Sequence, residues 1–598
     1  DNGLARTPPM GYRSWNQMNV NVSFVGFTDV MDVFSSPLGD LFEKAGLPFP
    51  KELDAKSTLA DLGYTDVAMD DGYQPKYSNE TDAPGINGGF HTAEGEMLFN
   101  TDIFPDGVAP LGDYALERGL TFSMYTNNCG DGTMPPENGY TDPQEIETHY
   151  WGDINFGVDW NVRGYKVDGC AQFLDMQKYV DYANMTGVPM LIECCQSIFC
   201  DPNGPNSSHP GCPYFVDDDE SKDLVCPFHY WRTSADMAFA FDSVLGNINS
   251  VQKWMNISRP GCWAHPDMME IGNLWTFEED RSNFALNAIA SAPLILSFNM
   301  TNQAQMARSL PVFTNTEVIA INQAWTSLDD PRPRGLVHSE VAEVDDTNYI
   351  IAVDCDDIDG KYEDSKWALQ PIENNTSFYQ VVSDLTNECV DLNTCQPLRT
   401  SKCDPHALSQ QLQYDPLTGH LGRDHPMQDG NDFGYINIGG KTGPLVQFTH
   451  SYGPDQPNEE FLFDDETRRW SSRCSDGSDD AHDICEKRCM VTITRDEEKY
   501  PDAESTLHVV NNSEGTVRDV TYQVWAKPLP NDEVAVVVVN RKVAEGVKLT
   551  LDLASLGVTR AVRARDVLNK VDFGGTYDGF FEMPDVVMPH DSVMIKFF

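Results

Sequence analysis

Basic residues are scarce in this chain of 598 residues: 41 Lys and Arg stand against 93 Asp and Glu, a formal charge of −52. That deficit excludes a nucleic-acid binder, whose phosphate contacts need a basic surface. It also argues against docking on anionic membrane surfaces. Long apolar runs are missing too. None reaches the ~18 residues that a membrane helix requires, and the nearest, Ala285 to Met300, is broken by Asn287, Ser291, Ser297 and Asn299. No P-loop, His-Glu-x-x-His or Gly-x-Ser-x-Gly motif occurs. The acidic stretch Asp354 to Gly360 departs from calcium-loop spacing at Ile358 and lacks a closing Glu, so it reads as a solvated turn. No metal and no cofactor are expected. The chain opens Asp1-Asn2-Gly3 with neither Met nor an apolar leader, which reads as a mature product whose signal peptide has been removed.

What is present points to the secretory route. There are 15 cysteines, and Asn-x-Ser/Thr sequons start at Asn21, Asn79, Asn184, Asn206, Asn256, Asn299, Asn374, Asn375 and Asn511. A secreted, vacuolar or lysosomal glycoprotein is the expectation. With 40% hydrophobic residues the chain has material for several cores, so its charge belongs to the surface of a folded protein.

Short apolar runs alternate with helix-compatible stretches as far as about Gln323. The strand-like runs are Pro9–Trp15, Tyr64–Asp71, Leu120–Asn127, Gly164–Cys170, Pro189–Cys195, His229–Met237, Cys262–Ile271 and Ala292–Met300. Eight such runs predict an α/β fold, a (β/α)8 TIM barrel over residues 1–335, with its active site at the C-terminal strand ends. Residues 345–500 carry a weak repeat whose central residues Trp367, Leu412 and Phe461 lie 45 and then 49 positions apart. That spacing resembles a ricin-type β-trefoil and predicts a β-trefoil-like, lectin-type insert. Alternating runs at Tyr522–Ala526, Glu533–Asn540, Lys548–Leu553 and Ser592–Phe598 predict a C-terminal antiparallel β-sandwich over 510–598.

The chemistry concentrates at the barrel strand ends. Lys166 and Asp168 alternate onto one side of their strand, where the ammonium favours an ionised carboxylate. Asp236, four residues after Arg232, offers a second carboxylate. Two opposed carboxylates are what glycoside hydrolysis needs: a gap of about 5–5.5 Å gives retention, about 6.5–9.5 Å inversion. Asp70 and Asp71 suit sugar hydroxyls, and Trp15, Trp231 and Trp263 offer apolar faces for a pyranose ring.

In order and spacing, Leu4-Ala-Arg-Thr-Pro-Pro-Met-Gly-Tyr12, Asp70-Asp71, Lys166-Val-Asp168-Gly-Cys170, Arg232-Thr-Ser-Ala-Asp236 and His265-Pro-Asp267-Met268 resemble glycoside hydrolase family 27. The resemblance covers roughly residues 4–325 and 520–598. It implies a metal-free retaining exo-glycosidase acting on terminal α-linked galactose. Asp168 matches the nucleophile, Asp236 the acid/base, and Trp15, Asp70, Asp71, Tyr125, Lys166, Arg232 and Asp267 the groups that hold the sugar. It also implies a disulfide between Cys129 and Cys170.

The chain departs from the family pattern in places. Gly72-Tyr73 stands where the family shows Cys-Trp. On the fifth strand, Ile192-Glu193-Cys194-Cys195 leaves two readings: Cys195 replaces a sugar-binding Glu, or Glu193 supplies the carboxylate from a shifted frame. His265, in place of a frequent Asp, is expected to alter the pH behaviour of the pocket. The alternatives are therefore an α-N-acetylgalactosaminidase, a β-L-arabinopyranosidase, or a non-catalytic carbohydrate-binding cell-coat protein on the same scaffold. The expected partners are a carbohydrate substrate and a glycan at the insert.

Overall fold

The computed structural model describes residues 2–75, 91–92, 94–127, 143–168, 176–195, 214–218, 221–341, 348–355, 365–373, 375–393, 398–416, 419–424, 433–439, 445–450, 461–472, 488–493, 520–542 and 545–598. Cys129, Cys170, Asn79, Asn206, Asn374 and Asn511 lie outside them. Of the other sequon asparagines, Asn21, Asn184 and Asn256 are exposed and Asn299 is half-buried.

Eight parallel strands form the first layer: β1 (Met10–Arg13), β2 (Asp66–Ala68), β3 (Thr121–Asn127), β4 (Val162–Asp168), β5 (Leu191–Cys195), β6 (Tyr230–Arg232), β7 (Trp263–His265) and β8 (Leu294–Leu296). They pair in chain order, and β8 returns to β1. The far edge is joined by a parallel bridge from Met269, just past β7, to Leu296 in β8. Each strand overlaps its predicted run; β4 begins two residues ahead of its own, β3 and β5 reach the ends of theirs, and all the others stop short. Where a strand stops short, the polar residues that end the run leave the ladder and become loop. Trp15 thus begins a one-turn helix, Trp15–Met18, instead of ending β1. The apolar faces of the surrounding helices close the core, for example Phe27, Val30, Met31 and Phe34 of the helix Phe24–Ser35.

Beyond the barrel, Gly335–Val341 pairs antiparallel with Val520–Leu529 and is the edge strand of a six-stranded sheet. The stretch between them therefore interrupts this C-terminal sheet after its first strand, and does not sit ahead of it. The sheet continues through Glu533–Asn540, Ser592–Phe597, Val562–Asp566 and Val571–Tyr577.

The interrupting stretch repeats one pairing pattern. The hairpins Trp367–Ile372 with Asn375–Ser383, Gln413–Tyr414 with Leu421–Asp424, and Phe461–Asp464 with Arg469–Ser472 are equivalent. The second strand of each pairs onward with Cys389–Asp391, Phe433–Gly439 and Arg488–Ile493. Those pair in turn with Arg399–Ser401, Leu445–His450 and Asn348–Asp354. Trp367, Leu412 and Phe461, each opening or just preceding its hairpin, are fully buried in one shared core.

That core also takes in Trp275 from the barrel. Beside it, the buried Glu279 accepts from Thr276 and Trp275 backbone N–H groups and lies 2.7 Å from His590 Nδ1 of the C-terminal sheet region. Asn393 of the insert donates to the same carboxylate. The insert is thus tied to both other units.

Candidate active site

Strand register stacks the site side chains in two rows. Asn127, Asp168 and Cys195 are register partners across β3, β4 and β5. Two residues earlier, Tyr125, Lys166, Glu193 and, on β6, Tyr230 form the row beneath. Alternation puts both rows on one side of the sheet.

Lys166 and Asp70 are both buried, and Lys166 Nζ donates to Asp70 Oδ2 at 2.8 Å. Burial works against the Lys166 charge, but Asp70 foremost, then Cys195 and Asp168, outweigh it and raise the ammonium pKa. The Asp70 N–H donates to Ser14 Oγ at 2.9 Å, which ties its backbone to the residue that follows β1. Gly72, two residues on, has φ +111° and a Cβ there would lie 2.7 Å from Val20 Cα, so the departure from Cys is sterically required in this chain. Tyr125 OH donates to Asp168 Oδ2 at 3.1 Å. Burial, then the charge of Asp168, keeps this phenol protonated. Tyr73 OH, donating to the Tyr125 carbonyl at 2.9 Å, braces it from behind.

Across the barrel, Arg232 Nη1 lies 2.6 Å from Asp236 Oδ1 and 3.6 Å from Asp267 Oδ2. Asp236 is the exposed member, with 74% of its side chain accessible, whereas Asp267 is buried. Partial desolvation pushes the Asp236 carboxyl up. Arg232, with Lys166 beyond it, outweighs that and holds it below the ordinary carboxylate range. Burial raises Asp267. The charge of Lys166 acts on both Asp168 and Asp236, and that of Arg232 does the same, so the two carboxylates share one electrostatic site. Trp15 is half-buried, and its neighbour Asn16 is tied to Glu270 and to Ser297 Oγ.

The fifth strand settles into a definite arrangement. Glu193 is 2% exposed and ion-paired with the equally buried Arg13 from β1. Arg13 Nη2 also donates to Tyr230 OH at 3.1 Å, and His265 Nε2 lies 3.7 Å from Glu193 Oε1. Glu193 therefore occupies the lower row with its charge answered by Arg13, which corrects the expectation that its carboxylate contacts a sugar. Cys195 is the group beside Asp168. Burial, the dominant influence, pushes its thiol up, so it presents a neutral wall.

His265 is likewise corrected. Burial first, then Arg13, Arg232 and Lys166, push its pKa well below the usual imidazole value. That direction favours the neutral imidazole. Trp231 and Trp263, also read as pyranose faces, are fully buried; Trp231 packs in the barrel core against Phe228 and Trp254, and Trp263 donates to the Ala5 carbonyl.

Sequence reasoning missed Arg13 and Tyr230. A charged residue inside the buried run Met10-Gly11-Tyr12 was the available signal for the first. Among the described residues no cluster of three or more His, Cys, Asp or Glu is placed to hold a metal, and no helix is long and apolar enough to cross a membrane.

A sequence profile of the family described as alpha galactosidase A matches residues 7–324, and that of the alpha galactosidase C-terminal beta sandwich domain matches residues 519–597. Alpha-galactosidase 3 of Arabidopsis thaliana is 28% identical over 331 residues, which cover 54% of this chain and 62% of that protein. The alpha-N-acetylgalactosaminidase of Mus musculus is 27% identical over 334 residues, 54% of this chain and 70% of that protein. The chain spans less than two thirds of two plant enzymes it matches, 62% of alpha-galactosidase 3 of Arabidopsis thaliana and 65% of the alpha-galactosidase of Oryza sativa. Among solved structures, alpha-galactosidase I from Mortierella vinacea superposes with a TM-score of 0.50 at 15% identity, covering all of this chain and 98% of that one. A β-L-arabinopyranosidase from Geobacillus stearothermophilus superposes with a TM-score of 0.51 at 13% identity, covering 99% and 96%. At such identities the likeness speaks for the fold.

Proposed function

The chain belongs to glycoside hydrolase family 27, the family of alpha galactosidase A, and from that premise we propose that it is a retaining exo-glycosidase releasing terminal α-linked galactose. The observation that carries this reading is the pair of carboxylates at barrel strand ends, Asp168 accepting from the Tyr125 hydroxyl and Asp236 paired with Arg232. Asp168, oriented by the Tyr125 hydroxyl, attacks the anomeric carbon. Asp236 protonates the departing oxygen, and the glycosyl–Asp168 ester forms as the glycosidic bond breaks. Asp236, now a carboxylate, takes a proton from water as that water attacks the same carbon and frees Asp168. Asp70, Asp71, Lys166, Trp15, Arg232 and Asp267 hold the sugar.

The exposed position of Asp236 suits a group that meets both an incoming aglycone and, later, water. Its lowered pKa gives the pH dependence a sign. The first step needs the protonated acid, and kcat/KM reports the free protein. Activity on p-nitrophenyl α-galactoside, read as kcat/KM, is therefore expected to be highest at the acid end and to be falling already above about pH 4. A protein that releases no p-nitrophenol from the α-galactoside, the α-N-acetylgalactosaminide or the β-L-arabinopyranoside between about pH 4 and 7 would contradict the reading.

The neutral thiol of Cys195 beside the nucleophile favours keeping one second reading, the α-N-acetylgalactosaminidase, since this wall offers no carboxylate to a sugar hydroxyl. The threefold repetition of strand pairing supports reading the insert as a β-trefoil lectin-type module that binds a glycan. Full-length Asp168→Asn protein is expected to be retained on insoluble galactan and released by soluble galactan; absence of retention removes the binding role. Exposed sequons and the disulfides Cys226–Cys262, Cys355–Cys489 and Cys389–Cys403 support passage through an oxidising secretory route.

A further inference from the structure

The loop that carries Asp236 is fastened to the loop that carries Asp267 at successive points. Thr233 N–H donates to the His265 carbonyl at 2.8 Å, and Ser234 Oγ donates to the Pro266 carbonyl at 2.5 Å. Met237 N–H, immediately after Asp236, donates to Asp267 Oδ2 at 2.9 Å. Asp267 is held at φ +113°, a conformation L residues rarely adopt, so its carboxylate is placed by surroundings that overrule backbone preference.

Behind both loops lies the helix Phe241–Ser250. Asn247 is 3% exposed, and its Nδ2 donates to the Ala235 carbonyl at 3.0 Å and to the Pro266 carbonyl at 3.1 Å. Two acceptor oxygens fix which end of the amide faces the loops. One turn earlier on the same helix face, Ser243 Oγ accepts the Ala238 N–H at 2.9 Å. Asn247 and Ser243 therefore grip the chain on either side of Asp236, at residues 235 and 238, while Asp236 itself reaches outward to Arg232.

We propose that Asn247 is a positioning residue for Asp236, setting the reach of the acid/base by clamping its loop to the Asp267 loop from the buried side. The proposal rests on the glycosidase reading above and extends it to a residue that touches no substrate. A carboxylate 74% exposed on a loop has few contacts of its own to define its place. An amide bonded to both loops supplies the missing constraint, and a 1 Å displacement of a catalytic group is worth about 100-fold in rate.

The test exploits leaving-group demand. An alkyl α-galactoside needs protonation of its departing oxygen, whereas a 2,4-dinitrophenyl α-galactoside needs little. Asn247→Ala is expected to lower kcat/KM for the alkyl substrate by about 10- to 100-fold and that for the dinitrophenyl substrate far less. Azide should raise kcat of the variant on the dinitrophenyl substrate but not that of the wild type, since azide attacks the glycosyl–Asp168 ester without base assistance and leaves as glycosyl azide. Asn247→Asp, the same shape with an acceptor turned on two carbonyls, should show the same selective loss if the alanine variant does not fold. Equal losses on both substrates, or no loss in a folded variant, would overturn the proposal while leaving the glycosidase reading intact. A wild-type protein inert on every galactoside would remove both.

Discussion

Asp168→Asn is expected to lower turnover of p-nitrophenyl α-galactoside by on the order of 10⁴-fold or more, with an unchanged unfolding transition. The amide keeps an oxygen that can accept from Tyr125 OH, so the local hydrogen bond survives the substitution. What is lost is the nucleophilic charge. The neighbouring cations, Lys166 in the row below and Arg232, keep their own buried partners Asp70 and Asp267, and on the proposed function they still hold the sugar. KM should consequently move much less than kcat. A fall in kcat with a comparable rise in KM and a shifted melt would mean that Asp168 is a structural ion-pair partner, which is the ordinary role of a Lys-x-Asp pattern at a strand end.

The second large effect concerns stability. Arg13→Met leaves Glu193 buried without its counter-charge, and removing one member of a buried pair costs about 3–5 kcal/mol. Arg13→Met with Glu193→Met should recover most of that loss, because paired apolar residues avoid the desolvation that both charges suffer. The remaining neighbours of Glu193, namely His265 at 3.7 Å, the Tyr230 hydroxyl and the register neighbour Lys166, are poor substitutes for the guanidinium. Denaturant midpoints of the two single variants and the double variant measure the coupling directly. Independent, additive losses would show that the pair is not the unit described here.

Much of this architecture was legible in the chain. Each predicted barrel run holds a strand, because buried parallel strands leave near-continuous apolar runs such as Ala292–Met300 around β8. Their ends were overextended because loop residues that line a site, such as Asp70 and Asp71, follow the apolar runs without a turn signal. The spacing of Trp367, Leu412 and Phe461 was readable since each residue fills the same place in a repeated unit.

Less legible were relations across the barrel. Glu193 and His265 looked like separate departures from a family pattern, one on the fifth strand and one on the seventh. They meet around Arg13, which sits 180 positions before Glu193 in the chain. Nothing local in sequence reports such a neighbour, so the frame of the fifth strand stayed open until register placed Cys195 beside Asp168. The same holds for Gly335–Val341, whose strand partner lies beyond the whole insert. Asn247 was invisible for another reason: an asparagine on the buried face of a helix shows its purpose only through the two carbonyls it serves.

The negative surface charge fits an acid-active protein, where partial protonation relieves self-repulsion. The central claim, a covalent sugar on Asp168, is open to one direct measurement. Incubation with a slow fluorinated galactosyl fluoride, followed by peptide mass mapping, should show one added sugar on the peptide containing Asp168, with loss of activity in step with labelling. No adduct, or an adduct on another carboxylate such as Asp236 or Glu193, would contradict the account.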